Sequence, residues 1–122
     1  MTELDGVFVS TDSISDDRDA VDLIAKAHYD HQAEWVLLRV DQLPAEFFQL
    51  RNGVAGAIVQ KFVNYRMRLA IVGDVTAQVA DSEPVRDWIR EANRGRDLWF
   101  VPDLTIFEER WSSCTGRWSS PA

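Results

Sequence analysis

Trp35-Val36-Leu37-Leu38-Arg39-Val40 is a nearly continuous apolar run. A strand with one wet face alternates apolar and polar side chains, so an unbroken run marks a strand covered on both faces. Working outward, Gly6-Val7-Phe8-Val9-Ser10 reads as a short first strand. Leu69-Ala70-Ile71-Val72, ending at Gly73-Asp74, reads as a third, and Leu98-Trp99-Phe100-Val101, stopped by Pro102, as a fourth. Between the first two, Ala20, Leu23, Ile24 and Ala27 recur at i, i+3, i+4 and i+7, with Ser15, Asp16 and Asp17 offering N-cap oxygens. That spacing predicts an amphipathic helix from about Asp17 to Tyr29.

Asp41-Gln42-Leu43-Pro44 breaks the second strand, and Ala45 to Leu50 is expected to form a short helical turn. A second helix begins near Asn52, which can cap it, and runs to about Tyr65. A third is capped by Asp81 or Ser82 and tolerates Pro84 in its first turn. Its apolar face is Val85, Trp88, Ile89 and Ala92, and Gly95 falls where a left-handed C-cap is common. Leu104 to Trp111 closes the order with a last helical turn or two.

Alternating strand and helix predict an α/β fold: one domain with a mostly parallel four- or five-stranded sheet and right-handed βαβ crossovers. A hairpin of Val7–Val9 with Ser13–Ile14 would make the sheet mixed. Periodicity leaves open whether helices cover one face or both. The domain is assigned residues 1–111, and 112–122 form a polar tail. Arg-Trp-Ser-Ser occurs twice there, at Arg110–Ser113 and Arg117–Ser120. Such a tail is either a solvated terminus or a docking peptide whose tryptophans fill a pocket on this subunit or a neighbour.

Across 122 residues, 46% are hydrophobic, and 20 acidic side chains against 13 basic ones set a net charge of −7. This length gives one domain with a real core. The negative charge argues against nucleic acid or an anionic membrane as a partner, because both need clustered cations. A single cysteine, Cys114, cannot form an internal disulfide. The N-terminus lacks the pattern of a secretory signal, and no window approaches a membrane span. A cytoplasmic location is expected.

Chemistry-bearing residues fall into three groups. On the central helix, Val54, Ala55, Ile58, Val59, Phe62, Val63 and Tyr65 cover about half the circumference, leaving a stripe of Gly53, Gly56, Ala57, Gln60, Lys61 and Asn64. Glycine within a helix costs about 1 kcal/mol relative to alanine. Two near its start suggest close approach by another backbone, or an anion seated over the first turn. At the carboxyl edge of a parallel sheet, where ligands usually bind, lie Asp41, Arg51, Asn52 and Asp74. The opposite edge receives Asn64, Tyr65, Arg66 and Arg68, with Glu91, Asn93, Arg94 and Arg96. Those cations either compensate helix dipoles or meet an acidic partner.

Familiar catalytic patterns are thin. His28 and His31, with Asp30 and Glu34 nearby, lack the further ligands a metal needs, and Cys114 has no positioned base. No metal and no cofactor are expected. The residues point to a non-catalytic binding or regulatory module that self-associates as a dimer or docks another protein. Its candidate partner-binding residues are Gln60, Asn64, Tyr65, Arg66, Asn93 and Arg94. The alternative is a small enzyme or binder of an anionic metabolite. In it Arg51 and Lys61 hold an acid group, Asn52 positions it and Asp74 acts as base.

Phe47-Phe48-Gln49-Leu50, Gly53-Val54-Ala55-Gly56, Gln60-Lys61-Phe62-Val63-Asn64-Tyr65-Arg66, Leu69-Ala70-Ile71-Val72-Gly73-Asp74 and Glu91-Ala92-Asn93-Arg94-Gly95 together resemble a bacterial family, the uncharacterised domain-of-unknown-function family 4180. The resemblance spans residues 7 to 101 and brings no reaction with it. Its pattern has a hydroxyl residue where Asn52 stands and an acidic one where Ala57 stands, so an activity needing either would be lost or altered here. In order of elements the chain also looks like STAS domains, small modules that bind proteins or sense ligands. Asn52, near the position of the phosphorylated serine in some of them, cannot accept a phosphate.

Overall fold

A four-stranded sheet with order β1-β2-β3-β4 organises the molecule. The computed structural model describes residues 6–49 and 53–119, apart from the side chains of residues 45 and 112–119. The strands are β1 (Val7–Val9), β2 (Trp35–Arg39), β3 (Arg68–Val72) and β4 (Leu98–Val101). The helices are α1 (Asp17–His31), α2 (Val54–Asn64), α3 (Thr76–Asp81), α4 (Glu83–Arg94) and α5 (Leu104–Ser119), with 3₁₀ turns at Val40–Gln42 and Ala45–Phe48.

All pairings are parallel, with Val7 opposite Trp35, Trp35 opposite Arg68 and Leu69 opposite Leu98. The N-terminal hairpin does not form. Ile14 N–H instead donates to Gln42 O at 2.9 Å, tying that stretch to the turn after β2. Each strand lies beside its predecessor, so right-handed crossovers stepping one way put their helices on one face. Val36, Leu38, Leu69, Ile71, Leu98 and Phe100 form that face, buried against Leu23, Ile24 and Ala27 of α1, Ala55, Ile58 and Phe62 of α2, and Val85 and Ile89 of α4. The other face, Trp35, Leu37, Ala70, Trp99 and Val101, packs on Phe107 and Trp111 of α5. Helices therefore cover both faces, three against one, with the short α3 adding Val79 to the larger core.

Local chemistry shifted several boundaries. Asp16 caps α1 by accepting from Asp19 N–H at 3.0 Å. That helix runs past Tyr29 to His31, where Gln32 ends it in a left-handed conformation, φ 51°. In α2 the N-cap is Gly53 (φ 78°) rather than Asn52, which lies outside the described residues. Ser82 caps α4, as expected, through its hydroxyl to Val85 N–H. Gly95 does not take the left-handed cap and is extended, φ −92°. The six-residue α3 went unforeseen, because it buries no residue fully and so shows no apolar stripe. Helical backbone in α5 continues past Trp111 into the stretch read as a tail, to Ser119. Trp111, from the first Arg-Trp-Ser-Ser copy, docks on the second face.

Gly73 closes β3 at φ 142°, and a Cβ there would stand 2.9 Å from Val40 Cγ2. Both the backbone and the close approach require glycine. No helix among the described residues is long and apolar enough to cross a membrane.

Candidate functional site

At the carboxyl edge the polar side chains are engaged within the fold. Asp74, just after β3, accepts from the Thr76 hydroxyl and from Thr76 N–H, the latter at 2.9 Å. The hydroxyl first, and the N–H second, hold its carboxyl below the ordinary carboxylate value, against a small opposing desolvation. Stabilising the charged form weakens Asp74 as a proton acceptor. Asp41 pairs with Arg39 at 3.0 Å. Gln42, 2% exposed, is fully satisfied: its amide donates to Ser10 O and Asp12 O at 2.9 Å each and accepts from Arg39 N–H at 2.7 Å. It locks the β1–α1 loop onto β2. Sequence reasoning missed it, since nothing local distinguishes a buried glutamine in a turn from an exposed one.

Arg51 and Asn52 lie outside the described residues. Lys61 falls in the last turn of α2, which leads into the start of β3, whereas Asp74 follows the end of β3. The sheet thus separates these two candidates, one at each edge. Strand order never reverses, so the crevice that a reversal opens at the carboxyl edge of doubly wound sheets has no counterpart among the described strands.

The amino edge divides its residues between scaffold and surface. Asn93 Oδ1 accepts from Phe100 N–H at 2.7 Å and covers an outward-facing backbone group on edge strand β4. Asn93 O accepts from Arg110, whose guanidinium stacks on Trp99 at 4.1 Å. Arg94 pairs with Glu91 at 3.3 Å. Gln60 donates to Asn64 Oδ1 at 2.8 Å along the exposed face of α2. Arg66 takes a left-handed conformation, φ 56°, and ends α2, with Met67 N–H donating to Phe62 O. Glycine would adopt this with less strain. A Cβ on Gly53 or Gly56 would meet nothing within 4 Å, so among the described residues no other segment packs against these two glycines.

An open, partly apolar surface lies where α1 and α2 run side by side. A groove of about 320 Å³ is lined by Val21, Ile24, Ala25, His28 and Tyr29 of α1 and by Tyr65 at the exit of α2. Tyr29 is 79% exposed and Tyr65 57%. The helical period explains the arrangement. Ala20, Leu23, Ile24 and Ala27 bury one side of α1, so Val21, Ala25 and Tyr29 emerge beside it. Tyr65 follows the last buried turn of α2, and of the predicted partner residues it alone lines this groove. His28 touches Tyr29 edge-on at 4.9 Å, while His31 stacks on Phe8 at 4.4 Å. Among the described residues, no three His, Cys, Asp or Glu side chains gather as a metal site requires.

A family model described as Domain of unknown function (DUF4180) matches residues 4–110. The match takes in the whole sheet, α1 to α4 and the start of α5. No curated protein matches the chain. No solved structure matches it either, so the likeness to STAS domains gains no support.

Proposed function

We propose that the chain, which belongs to the DUF4180 family, is a binding module that works by self-association through its exposed α1–α2 layer. The groove flanked by Tyr29 and Tyr65 carries this reading. Tyrosines are favoured at protein interfaces because a broad apolar ring comes with a polar tip that tolerates water when unbound. Two of them beside an apolar groove form an anchor and a receptor on one surface. The engagement of Asp74, Asp41 and Gln42 within the fold favours binding over catalysis at the carboxyl edge. Light scattering over a concentration series is the test. The expected result is a mass rising from 13.9 kDa toward twice that value. A mass that stays monomeric at every concentration refutes self-association.

A further inference from the structure

Helices α1 and α2 both start at the carboxyl edge of the sheet and end at its amino edge, because each joins the end of one strand to the start of the next. Charge is unevenly spread along them. Asp16, Asp17, Asp19 and Asp22 gather at the start of α1, and α2 contains no acidic residue at all. Lys61 and Arg66 stand at the exit of α2, beside the exit of α1 with His28 and His31. Two residues run against this trend, Arg18 at the acidic end and Asp30 at the basic end, while Lys26 is paired with Asp12 at 3.6 Å. Among the described residues, neither Lys61 nor Arg66 forms an ion pair.

Resting on the self-association proposed above, we infer that the occupant of the α1–α2 groove is a second copy of this chain, docked antiparallel about a two-fold axis. Tyr29 of each copy enters the groove of the other. A two-fold operation is self-complementary, so one anchor beside one groove yields two filled grooves and leaves neither surface open. The antiparallel sense follows from charge. It lays the acidic start of α1, where Asp22 is exposed, over the Lys61–Arg66 end of the second copy, twice. A parallel arrangement would set acid against acid and base against base. Helix dipoles favour the same sense.

Sedimentation velocity on the full chain, at low and at high salt, tests the arrangement with wild type, Tyr29→Ala, Tyr65→Ala, Lys61→Glu and the double variant Lys61→Glu/Asp22→Lys. A wild-type dimer weakened about tenfold or more by Tyr29→Ala, with an unchanged far-ultraviolet circular dichroism spectrum, supports the inference. So does weakening by Lys61→Glu that Asp22→Lys reverses, and a dimer that loosens as salt screens the crossed charges. A dimer indifferent to both tyrosine variants overturns this docking mode while leaving self-association standing. Failure of Asp22→Lys to restore the dimer overturns the antiparallel sense. A wild-type monomer overturns both readings and assigns the groove to a partner other than a second copy.

Discussion

The two faces of the sheet are built on different principles. Against three helices, the strands present Val36, Leu38, Leu69, Ile71, Leu98 and Phe100, a broad core in which many side chains share the burial. Toward α5, the same strands present a narrow aromatic cluster. Trp35 on β2 and Trp99 on β4 flank β3, yet their rings stand 4.4 Å apart. Strands two apart in a sheet are separated by roughly 9.6 Å. On β3 the register sets Arg68 beside Trp35 and Ala70 beside Trp99, and fully buried Ala70 is too small to hold the Trp99 indole away from Trp35. Phe107 packs edge-on to Trp35 at 5.5 Å, and Arg110 covers Trp99. Trp99 Nε1–H is satisfied by Gly95 O at 2.9 Å. One face spreads its stabilisation over many contacts, while the other concentrates it in a few. Single substitutions on the α5 face should therefore have local, separable consequences.

Phe107→Ala tests that contrast most severely. Removing a fully buried phenylalanine is expected to cost about 3–5 kcal/mol, and Phe62→Ala on the opposite face a similar amount. The difference lies in where protection is lost. Hydrogen exchange should show α5 opening alone in Phe107→Ala, whereas Phe62→Ala lowers protection throughout. If α5 stays as protected as α2, the contrast between the faces is wrong. Ala70→Leu comes next: inserting side-chain volume beside Trp99 in the buried aromatic cluster should cost about 1–3 kcal/mol in urea unfolding and alter the near-ultraviolet circular dichroism of the tryptophan pair. Ile71→Val, one residue along but facing the broad core, should cost about 0.5–1.5 kcal/mol and leave that spectrum unchanged.

Asn93→Ala probes the joint that links α4, β4 and α5. It removes the acceptor for Phe100 N–H, for an expected loss of about 1–2 kcal/mol. Uncovering the β4 edge should also raise aggregation, measurable by light scattering. The smallest effect concerns Asp74. Thr76→Val deletes the hydroxyl that chiefly lowers its pKa, so an NMR titration should show that pKa rising toward its ordinary value of 3.8. A carboxyl depressed in the folded state adds stability above its unfolded pKa and loses it as pH falls through the lower folded one. Wild type and Thr76→Val should thus differ in stability near neutrality and converge in acid below pH ~4. An unshifted Asp74 pKa would remove the Thr76 hydroxyl as the cause.

Little of the candidate surface is legible in the sequence: of the residues lining the groove, only Tyr65 is among the expected partner-binding residues. The sequence points to Tyr65 with Asn64 and Arg66 because they sit together at a helix exit, and to Gln60 as part of the polar stripe that leads to it. It does not point to Tyr29, which reads only as the end of the first helix. Its exposure depends on α1 continuing to His31 and on α2 lying alongside. Asn93 was singled out as a surface residue, but its carbonyl and side chain serve β4 and α5 instead. A side chain's partner across the fold leaves no trace in its own neighbours along the chain.

Periodicity and apolar runs alone placed the four strands and every helix but α3 and pointed to a mostly parallel sheet, because side-chain spacing is a local property and a helix between strands allows few connections. Only the tertiary structure decided that α5 would cover the second face, that Trp35 and Trp99 would meet across β3, and that Lys61 and Asp74 would lie at opposite edges. Those outcomes depend on distances between segments far apart in the chain. Such distances are set by the volume each layer must fill, which no single stretch of sequence specifies.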